Sequence, residues 1–483
     1  MAAAGQPPPP RPSAARLHPP ASASSVLAGG TTTAAAEAVR TLFASSPVLV
    51  AADANSRPAL ATAAADALRV HAPVLLASQL PRGGAISIAS IAQREARALH
   101  PLAVLAVGLS TKALSATLRG IRVTASLAKL PATKAPPPLT KVALLVRQGD
   151  ASAKASAVTA TAQAAGVSVV AVRGYDPRAD PAAIAALSAA RPAQVLALGA
   201  AFGPAVQLAG RVAAAEAGEQ LPGGGQVLFP QHRIVALYGH PGAPVLGALG
   251  EQGLAASIAR ARRLAARYRS LSNVPVVPAF EIIASVAQGA DAPEGGTYSY
   301  LTPVADLRPW VDRATHAGLY VILDLQAGRA DLLAQAKLYR KLLELPDVGL
   351  AIDPEWKLMP HQLPLQQIGS VTSSQVNAVA NWLSAVTARD HLPQKLLVLH
   401  QFRLSMISDE QGLNTSHDDL AIVIHMDGQG TPAMKQQTWD AVTAAAPAHV
   451  YFGWKNFLTK DHPMLTPSQT MARRSPPDMV SYQ

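Results

Sequence analysis

Short apolar runs alternate with longer alanine-rich stretches along most of the chain. Residues 48–52 and 73–77 are almost entirely apolar, whereas residues 34–43 and 59–69 are alanine-rich and read as helices. Continuous apolar strands that alternate with helices are typical of parallel sheets covered on both faces. The pattern therefore predicts an α/β protein.

Composition divides the chain into four segments. Residues 1–31 are rich in proline, alanine and serine, which predicts a disordered leader because such a segment buries little apolar area. Residues 32–135 read as one basic α/β unit. The three prolines at 136–138 open a second α/β unit over residues 136–225, and the glycines at 223–225 close it. The last segment, residues 226–483, contains a longer series of alternating apolar runs and helical stretches.

Eight apolar runs occur in this last segment, and helical stretches separate most of them. The runs lie at residues 234–239, 276–284, 320–325, 348–352, 396–399, 421–424, 450–453 and 479–481. Eight strand–helix units over about 250 residues are typical of a TIM or (β/α)8 barrel. We therefore predict that residues 226–483 form one C-terminal barrel, whose last strand ends at the C-terminus. The two small parallel-sheet units would precede it.

The positive charge of the protein is concentrated at its N-terminal end. The net charge is +11, and residues 1–150 hold 15 Lys and Arg against five acids, a net of +10. Such an excess can attract an anionic polymer or surface. No nucleic-acid motif accompanies it and few aromatics could stack on bases, so we expect an anionic cell-wall polymer or glycan as partner and no nucleic acid.

Several classes of protein are excluded by what the sequence lacks. With no cysteine it has neither disulfides nor thiolate metal sites. No uninterrupted apolar run of about 18 residues occurs, so we expect no transmembrane segment. No glycine-rich phosphate loop follows a strand, and we therefore expect no nucleotide and no other cofactor. The sequence leaves the oligomeric state open.

Nearly every strand of the predicted barrel ends at a polar or ionisable side chain. Since barrel enzymes work where the strands end, and unpaired buried charges are costly, this favours a ligand or catalytic site over a structural polar network. Trp356, Phe402, Trp454 and Tyr482 could add stacking faces for sugar rings. The expected substrate-binding side chains are His240, Glu281, Gln326, His400, Gln401, Trp356, Trp454, Lys455 and Tyr482.

Asp353 and Glu355 stand out because they follow one strand and are two positions apart. Side chains at i and i+2 of a strand share a face, so both carboxylates would point into the barrel mouth. Two close carboxylates rarely ionise independently, and the raised pKa of one suits a general acid. The alternative is a solvated surface turn that begins at Asp353.

Two segments resemble known modules. Residues 48–53, 59–67, 72–78 and 104–108 are similar to the cell wall-binding repeat 2 of secreted actinobacterial and clostridial proteins. Residues 169–181 are similar to the periplasmic sugar- and amino-acid-binding fold, which implies an architecture and no ligand. The first resemblance implies an extracellular, cell-surface location. No signal peptide is evident, so we interpret the chain as a mature or truncated form.

The acidic pair resembles the pattern of muramidase- and chitinase-type barrel glycosidases. That resemblance implies that Glu355 is the acid, that Asp353 tunes it, and that Asp324 and Asp427 are further carboxylates around the sugar. The spaced aspartates that precede the acid in chitinases are missing, and Pro354 separates the two acids. Residues 233–483 also resemble an uncharacterised domain of actinobacterial secreted or lipid-anchored proteins. The segments on which this resemblance rests are 236–242, 321–326, 397–402, 426–430 and 453–457.

Three functions are consistent with these residues. The first is hydrolysis of a cell-wall glycan at the barrel mouth, and the second is glycan binding or scaffolding without catalysis. In the third, His240, His400 and His425 with Asp324, Asp353 and Asp427 hold a divalent ion that activates water. No H-x-H or H-E-x-x-H spacing supports the third function, so no metal ligand is predicted.

Overall fold

The computed structural model describes residues 13–80, 85–289, 296–473 and 475–483. It forms two compact units, with the boundary between Gly218 and Glu219. The predicted boundary at residue 226 is therefore seven residues late. Residues 226–229 already belong to the second unit, since Leu228 and Phe229 join its apolar core and the backbone N–H of Leu228 donates to Gln394 Oε1.

The N-terminal unit is built from short strands and alanine-rich helices. Its strands are β1 Ser13–Ala14, β2 Arg16–Leu17, β3 Ser24–Leu27, β4 Phe43–Ser45, β5 Val48–Asp53, β6 Val74–Gln79, β7 Ile86–Ser87, β8 Ala103–Val107, β9 Arg122–Thr124, β10 Thr133–Lys134, β11 Val142–Arg147, β12 Ser168–Val172 and β13 Gln194–Leu198. Its helices are α1 Thr31–Leu42, α2 Arg57–Val70, α3 Ser90–Ala98, α4 Thr111–Thr117, α5 Ala153–Ala164, α6 Pro181–Ala190 and α7 Ala205–Ala217.

Two sheets of this unit share one hydrophobic core. Their strand orders are β7-β6-β5-β8-β9 and β12-β11-β13-β3, and apart from the short β7 all neighbours are parallel. Leu49 of the first sheet and Leu144 of the second belong to the same apolar cluster. The parallel α/β architecture is thus confirmed. The two predicted parallel-sheet units are present as these two sheets, which bury apolar residues in a common core; their bounds at 32–135 and 136–225 stay a prediction.

The expectation of a disordered leader is also corrected for residues 13–31. Strand β3 pairs with β13 in parallel, with Val26 opposite Ala197, and Leu27 is buried in the core. The apolar residues of this short strand are stabilised by a partner strand 171 positions away, which local composition does not reveal. Residues 1–12 of the predicted leader lie outside the described residues.

The C-terminal unit alternates strands and helices. Its strands are β14 Arg233–Gly239, β15 Val276–Ala287, β16 Ser299–Leu301, β17 Tyr320–Leu325, β18 Val348–Ile352, β19 Val371–Thr372, β20 Lys395–Gln401, β21 Ile407–Ser408, β22 Leu420–Met426, β23 Tyr451–Asn456 and β24 Met479–Tyr482. Its helices are α8 Leu254–Ala266, α9 Val304–His316, α10 Leu332–Leu338, α11 Arg340–Leu343, α12 Ser373–Arg389, α13 Pro432–Ala445 and α14 Pro467–Met471.

Eight parallel strands of this unit close into a barrel. Their order is β14-β24-β23-β22-β20-β18-β17-β15, and β15 pairs again with β14. Strand β24 fits between β23 and β14, as predicted for the C-terminal residues. The (β/α)8 prediction is confirmed. The short β16 adds an antiparallel edge to β15.

Successive side chains of each strand point alternately into the barrel and towards the helices. Ile234, Ala236, Ile322 and Val398 fill the lower interior, while Leu237 and Leu323 pack in the outer layer with helix residues. This alternation decides which polar residues reach the barrel mouth. No helix in the described part of the chain is both long and apolar enough to cross a membrane.

Candidate active site at the barrel mouth

The upper interior of the barrel is polar where the lower interior is apolar. The Tyr238 hydroxyl donates to Asp324 Oδ2 at 2.8 Å, and His400 Nε2 lies 2.9 Å from Glu281 Oε1. Both contacts join strands that are not neighbours in the sheet, so they cross the interior of the barrel. All four residues are buried. The strands therefore end in a layer of ionisable groups that contact one another.

His400 joins two carboxylates in this layer. Its Nδ1 lies 3.1 Å from Asp427 Oδ2, opposite the contact of Nε2 with Glu281. Ionised carboxylates only accept hydrogen bonds, so this geometry favours a ring that carries both protons. Burial alone would lower the pKa of His400, but Glu281 and Asp427 raise it well above its usual value. Burial likewise opposes ionisation of Asp427, yet the hydrogen bond from His400 lowers the pKa of Asp427.

The second histidine of the layer, His425, is held in the neutral rather than the protonated form. His425 Nε2 lies 2.7 Å from Ser481 Oγ, and its ring lies edge-on to His400 with centroids 5.1 Å apart. Burial, and then the charge of His400, lowers the pKa of His425 well below its usual value. A neutral His425 therefore lies beside a protonated His400.

Asp353 and Glu355 come together in a helical turn rather than along a strand. Strand β18 ends at Ile352, and the residues Pro354–Trp356 form a single 3₁₀ turn. Asp353 Oδ1 caps this turn by accepting the backbone N–H of Glu355 at 3.2 Å, and Pro354 occupies the first position, where no N–H is required. The predicted proximity is present, but the shared strand face is corrected.

These two acids and Asp427 face a common cavity of about 300 Å³. One oxygen from each of the three carboxylates lies within 4.8 Å of the others. Burial and the charge of Asp427 raise the pKa of Glu355, and burial with the charge of Asp324 raises the pKa of Asp353 well above its usual value. The remaining lining includes Tyr238, Ile283, Gln326, Trp356, Phe402, Gln429, Lys455, Phe457, Lys460 and Gln483.

Several predicted residues therefore reach the cavity. Glu355, Asp353, Asp427, Gln326, Trp356 and Lys455 line it. Gln326 is fixed by accepting the backbone N–H of Ala287 at 3.0 Å. Asp324, Glu281 and His400 lie beneath the lining, within the polar layer, so the expectation that they contact a sugar directly is corrected. Their contacts instead stabilise the groups above them.

Four other predicted residues lie elsewhere. Trp454 packs on Trp439 outside the barrel wall, Gln401 donates to Glu410 Oε2 at 2.9 Å, and the Tyr482 and Tyr268 hydroxyls are 2.6 Å apart. Each of these three is adjacent in sequence to an inward-facing residue, so the strand alternation turns it outward. His240 follows the end of β14 and lines a separate surface depression with Tyr300 and Trp310.

The same alternation identifies residues that the sequence interpretation missed. Counting in twos from Ile234 reaches Tyr238 within β14, and the next step, His240, falls beyond the end of the strand at Gly239. Counting in twos back from Gln483 leads to Ser481 rather than Tyr482. Phe457, Lys460 and Gln483 also line the cavity, but they lie beyond the strands. No periodic signal marks such loop positions.

The histidines do not converge as metal ligands. Both nitrogens of His400 contact carboxylates, His425 contacts Ser481, and His240 lies in the other depression. The set predicted for the metal alternative is therefore corrected. The described residues that could together hold a cation at the mouth are Asp353, Glu355 and Asp427.

The fold and the site together define a (β/α)8 barrel with an acidic cavity at the carboxyl ends of its strands. No family model and no curated protein matches the sequence. Among solved structures, the chain is similar to the xylanase and alpha-amylase inhibitor protein XAIP-II from Scadoxus multiflorus. The identity is 13%, the match covers 52% of this chain and 92% of that chain, and the TM-score is 0.31.

A second solved structure with similarity is Cwp6 from Clostridium difficile. The identity is 11%, the match covers 79% of this chain and 63% of that chain, and the TM-score is 0.20. The chain thus spans less than two thirds of the length of Cwp6. Because both similarities have TM-scores below 0.5, neither carries an argument about the function of this chain.

Proposed function

We propose that the barrel hydrolyses a glycosidic bond in a glycan of the bacterial cell envelope, and that the protein acts at the cell surface. The observation that supports catalysis is the pair Glu355 and Asp427. The two carboxylates face one cavity, and their pKa values are displaced in opposite directions. Neighbouring carboxylates with divergent pKa values are what acid and nucleophile roles require.

The two roles follow from the surroundings of each group. Glu355 has a raised pKa and is the general acid, which donates its proton to the glycosidic oxygen as the bond to the anomeric carbon breaks. Asp427 is kept ionised by His400 and is the nucleophile, which forms an ester bond to the anomeric carbon. Water then cleaves this ester while Glu355 takes a proton from the water, so both carboxyl groups return to their initial states.

The short spacing of the carboxylates supports this two-step route. Oxygens of Glu355 and Asp427 lie within 4.8 Å of each other. Retaining glycosidases have carboxyl groups about 5–5.5 Å apart, whereas inverting enzymes need about 6.5–9.5 Å to admit a water molecule. We therefore expect products with retained anomeric configuration.

The direct test is Glu355→Gln, which keeps the shape of the side chain and removes the transferable proton. Release of reducing sugar from purified cell-wall glycan should fall by roughly 10²–10⁴-fold, the usual contribution of general acid–base catalysis. Glu344→Gln, on the exposed α11 side of the barrel, is the matched control and should be fully active. Wild-type protein that binds the glycan without cleaving it would instead support a non-catalytic binding module.

A divalent-cation-dependent hydrolase is the second candidate, because three carboxylate oxygens lie within 4.8 Å of one another. In that case Asp353, Glu355 and Asp427 would bind the ion together, and activity would be lost after dialysis against EDTA and regained with Mg²⁺, Ca²⁺ or Mn²⁺. Activity that is indifferent to EDTA, together with retained configuration in the product, supports the glycosidase.

A further inference from the structure

Lys455 is a buried cation at the edge of the cavity. Its side chain extends inward from β23, only 3% of the residue is exposed, and Nζ lies 3.6 Å from the centre of the Tyr238 ring. A second ring, that of Phe457, lies 5.5 Å from the same atom. Within the described part of the chain, no acceptor hydrogen-bonds Lys455 Nζ and no carboxylate lies within 4.0 Å of it.

A second lysine lines the same cavity. Lys460 follows Phe457 in the loop after β23, and its Nζ lies 5.9 Å from the Phe457 ring. Gln429 and Gln483 add amide groups to the same lining. The acids Asp353 and Asp427 reach the cavity from the ends of β18 and β22. Lys455 on β23 and Lys460 in the loop after it lie on the same side of the cavity as Asp427, which follows the neighbouring strand β22, whereas Asp353 and Glu355 follow β18.

A buried ammonium group loses hydrogen bonds to water, and other contacts must replace them. Lys455 Nζ faces the cavity, and cation–π contact with Tyr238 replaces only part of the hydration that burial of the side chain removes. The carboxylates of the site act on Lys455 through space without forming an ion pair with it. A negatively charged group in the cavity could contact both Lys455 and Lys460, and it would lie beside the proposed catalytic acids.

We infer that Lys455 and Lys460 form a subsite for an acidic substituent of the sugar, so that the substrate is an acidic rather than a neutral glycan. This inference rests on the proposed function, since it assigns the substrate class of the same cavity. Two kinds of sugar carry suitable carboxylates: uronic acids on carbon 6, and muramic acid on its lactyl ether. The shared chemistry is a carboxylate next to the ring.

The test is binding of paired tetrasaccharides that share a sugar backbone and differ in their carboxylate-bearing groups. The full chain carrying Glu355→Gln is titrated calorimetrically with chitotetraose and with the alternating N-acetylglucosamine–N-acetylmuramic acid tetrasaccharide. A second pair is cellotetraose and the β-1,4 tetramer of glucuronic acid. At least one acidic probe should bind roughly tenfold or more tightly than its neutral partner, as expected for a hydrogen bond to a charged group. Which acidic probe is preferred identifies the source of the carboxylate.

Lysine variants then show which side chains cause the preference for acidic over neutral probes. Lys455→Met should abolish it, Lys455→Arg should retain part of it, and Lys341→Met on the exposed α11 should leave it unchanged. Lys460→Met, in a loop, should reduce the preference even if Lys455→Met does not fold. Equal affinity for acidic and neutral probes, or a preference that survives both methionine variants, overturns the inference.

The outcomes also separate this inference from the proposed function. If acidic probes are preferred but the wild-type protein never cleaves them, the subsite stands and the hydrolase does not. If neutral and acidic glycans are cleaved equally well, hydrolysis stands and the acidic subsite is excluded. If no probe binds but cell-wall glycan is still cleaved, the acidic subsite is excluded and hydrolysis stands; if no probe binds and no glycan is cleaved, both proposals fail.

Discussion

Gly453 of β23 lies directly against the ring of His425 on the neighbouring strand β22. A Cβ atom at position 453 would lie 1.9 Å from His425 Nδ1 and 2.9 Å from two ring carbons. Because this contact is far below van der Waals distance, only glycine leaves room for a buried imidazole that also contacts Ser481. The packing of the polar layer thus depends on a residue with no side chain.

Gly453→Ala should therefore destabilise the barrel. The new methyl group must displace the His425 ring and break its 2.7 Å contact with Ser481, and overpacking of this kind costs about 1–3 kcal/mol. Thermal denaturation followed by circular dichroism measures the loss. Gly253→Ala is the control, since nothing lies within 4 Å of a Cβ atom at that exposed position. Adding His425→Ala should relieve part of the effect of Gly453→Ala, and additive losses would argue against the proposed clash.

His400→Gln should change the pH dependence of glycan cleavage. The substitution removes the positive charge that lowers the pKa of Asp427, so the pKa of Asp427 should rise and a larger share of it should be protonated in acid. The acidic limb of kcat/KM against pH should therefore move to higher pH, and kcat/KM should fall more in acid than near neutrality. His316→Gln, on the exposed face of α9, is the control. An unmoved acidic limb would mean that His400 does not position or charge Asp427.

His400 also contributes to stability with a defined sign. Its folded-state pKa is raised, so protonated His400 contributes below its ordinary pKa of 6.5 and loses this contribution as the pH rises through the raised value. Asp427 behaves in the opposite way, since its lowered pKa contributes above 3.8 and is lost as the pH falls through the folded-state pKa. Both contributions are therefore fully present between pH 3.8 and pH 6.5. The free energies of unfolding of wild type and His400→Gln, measured by urea denaturation, should differ most in this window and less as the pH rises above it.

Lys395 should make the barrel more stable in base. Its Nζ donates to the carbonyls of Leu345 and Val348, at 2.6 and 2.9 Å, and burial lowers its pKa from 10.5 to about 7. Between these values the unfolded chain binds more protons than the folded one, so the free energy of unfolding rises with pH. The slope for one group is at most about 1.4 kcal/mol per pH unit.

Urea denaturation of wild type and Lys395→Met at about pH 7.5 and about pH 9.5 tests this expectation. The wild type should gain up to about 2–3 kcal/mol more than Lys395→Met over this interval. Lys341→Met is exposed and should follow the wild type. Equal pH dependence in all three proteins would show that Lys395 titrates as it does in the unfolded chain.

The positive charge of the N-terminal unit should promote binding to anionic cell walls. Lys112, Arg119, Arg122 and Lys129 are all exposed, and salt screens exposed charges within about 8–10 Å at physiological ionic strength. Co-sedimentation of the full chain with isolated walls should weaken between about 50 mM and about 500 mM NaCl. Replacing the four residues with Gln should weaken it further at low salt. Binding that is indifferent to salt, or to these replacements, would leave the charge without this role.

The fold of the barrel could be predicted because its signals are local. Each strand is a short apolar run, and each helix between strands has apolar residues at helical spacing. Eight such strand–helix repeats predict a closed barrel. The N-terminal unit was harder to predict, since β3 pairs with β13 and Leu49 and Leu144 share one core. Such pairings join distant residues, and neither composition nor a run of prolines reveals them.

The sequence by itself determined that acidic groups meet at the barrel mouth, because Asp353, Glu355 and Asp427 each follow a strand. Only the tertiary structure decided which neighbours they have. Strand alternation turns Lys455 inward and Trp454 outward, and closure of the barrel brings His400 between Glu281 and Asp427. The charge of each group depends on burial and on partners from other strands. Glu355 was already the expected acid, but the proposed role of Asp427 as nucleophile rests on contacts that no local pattern contains.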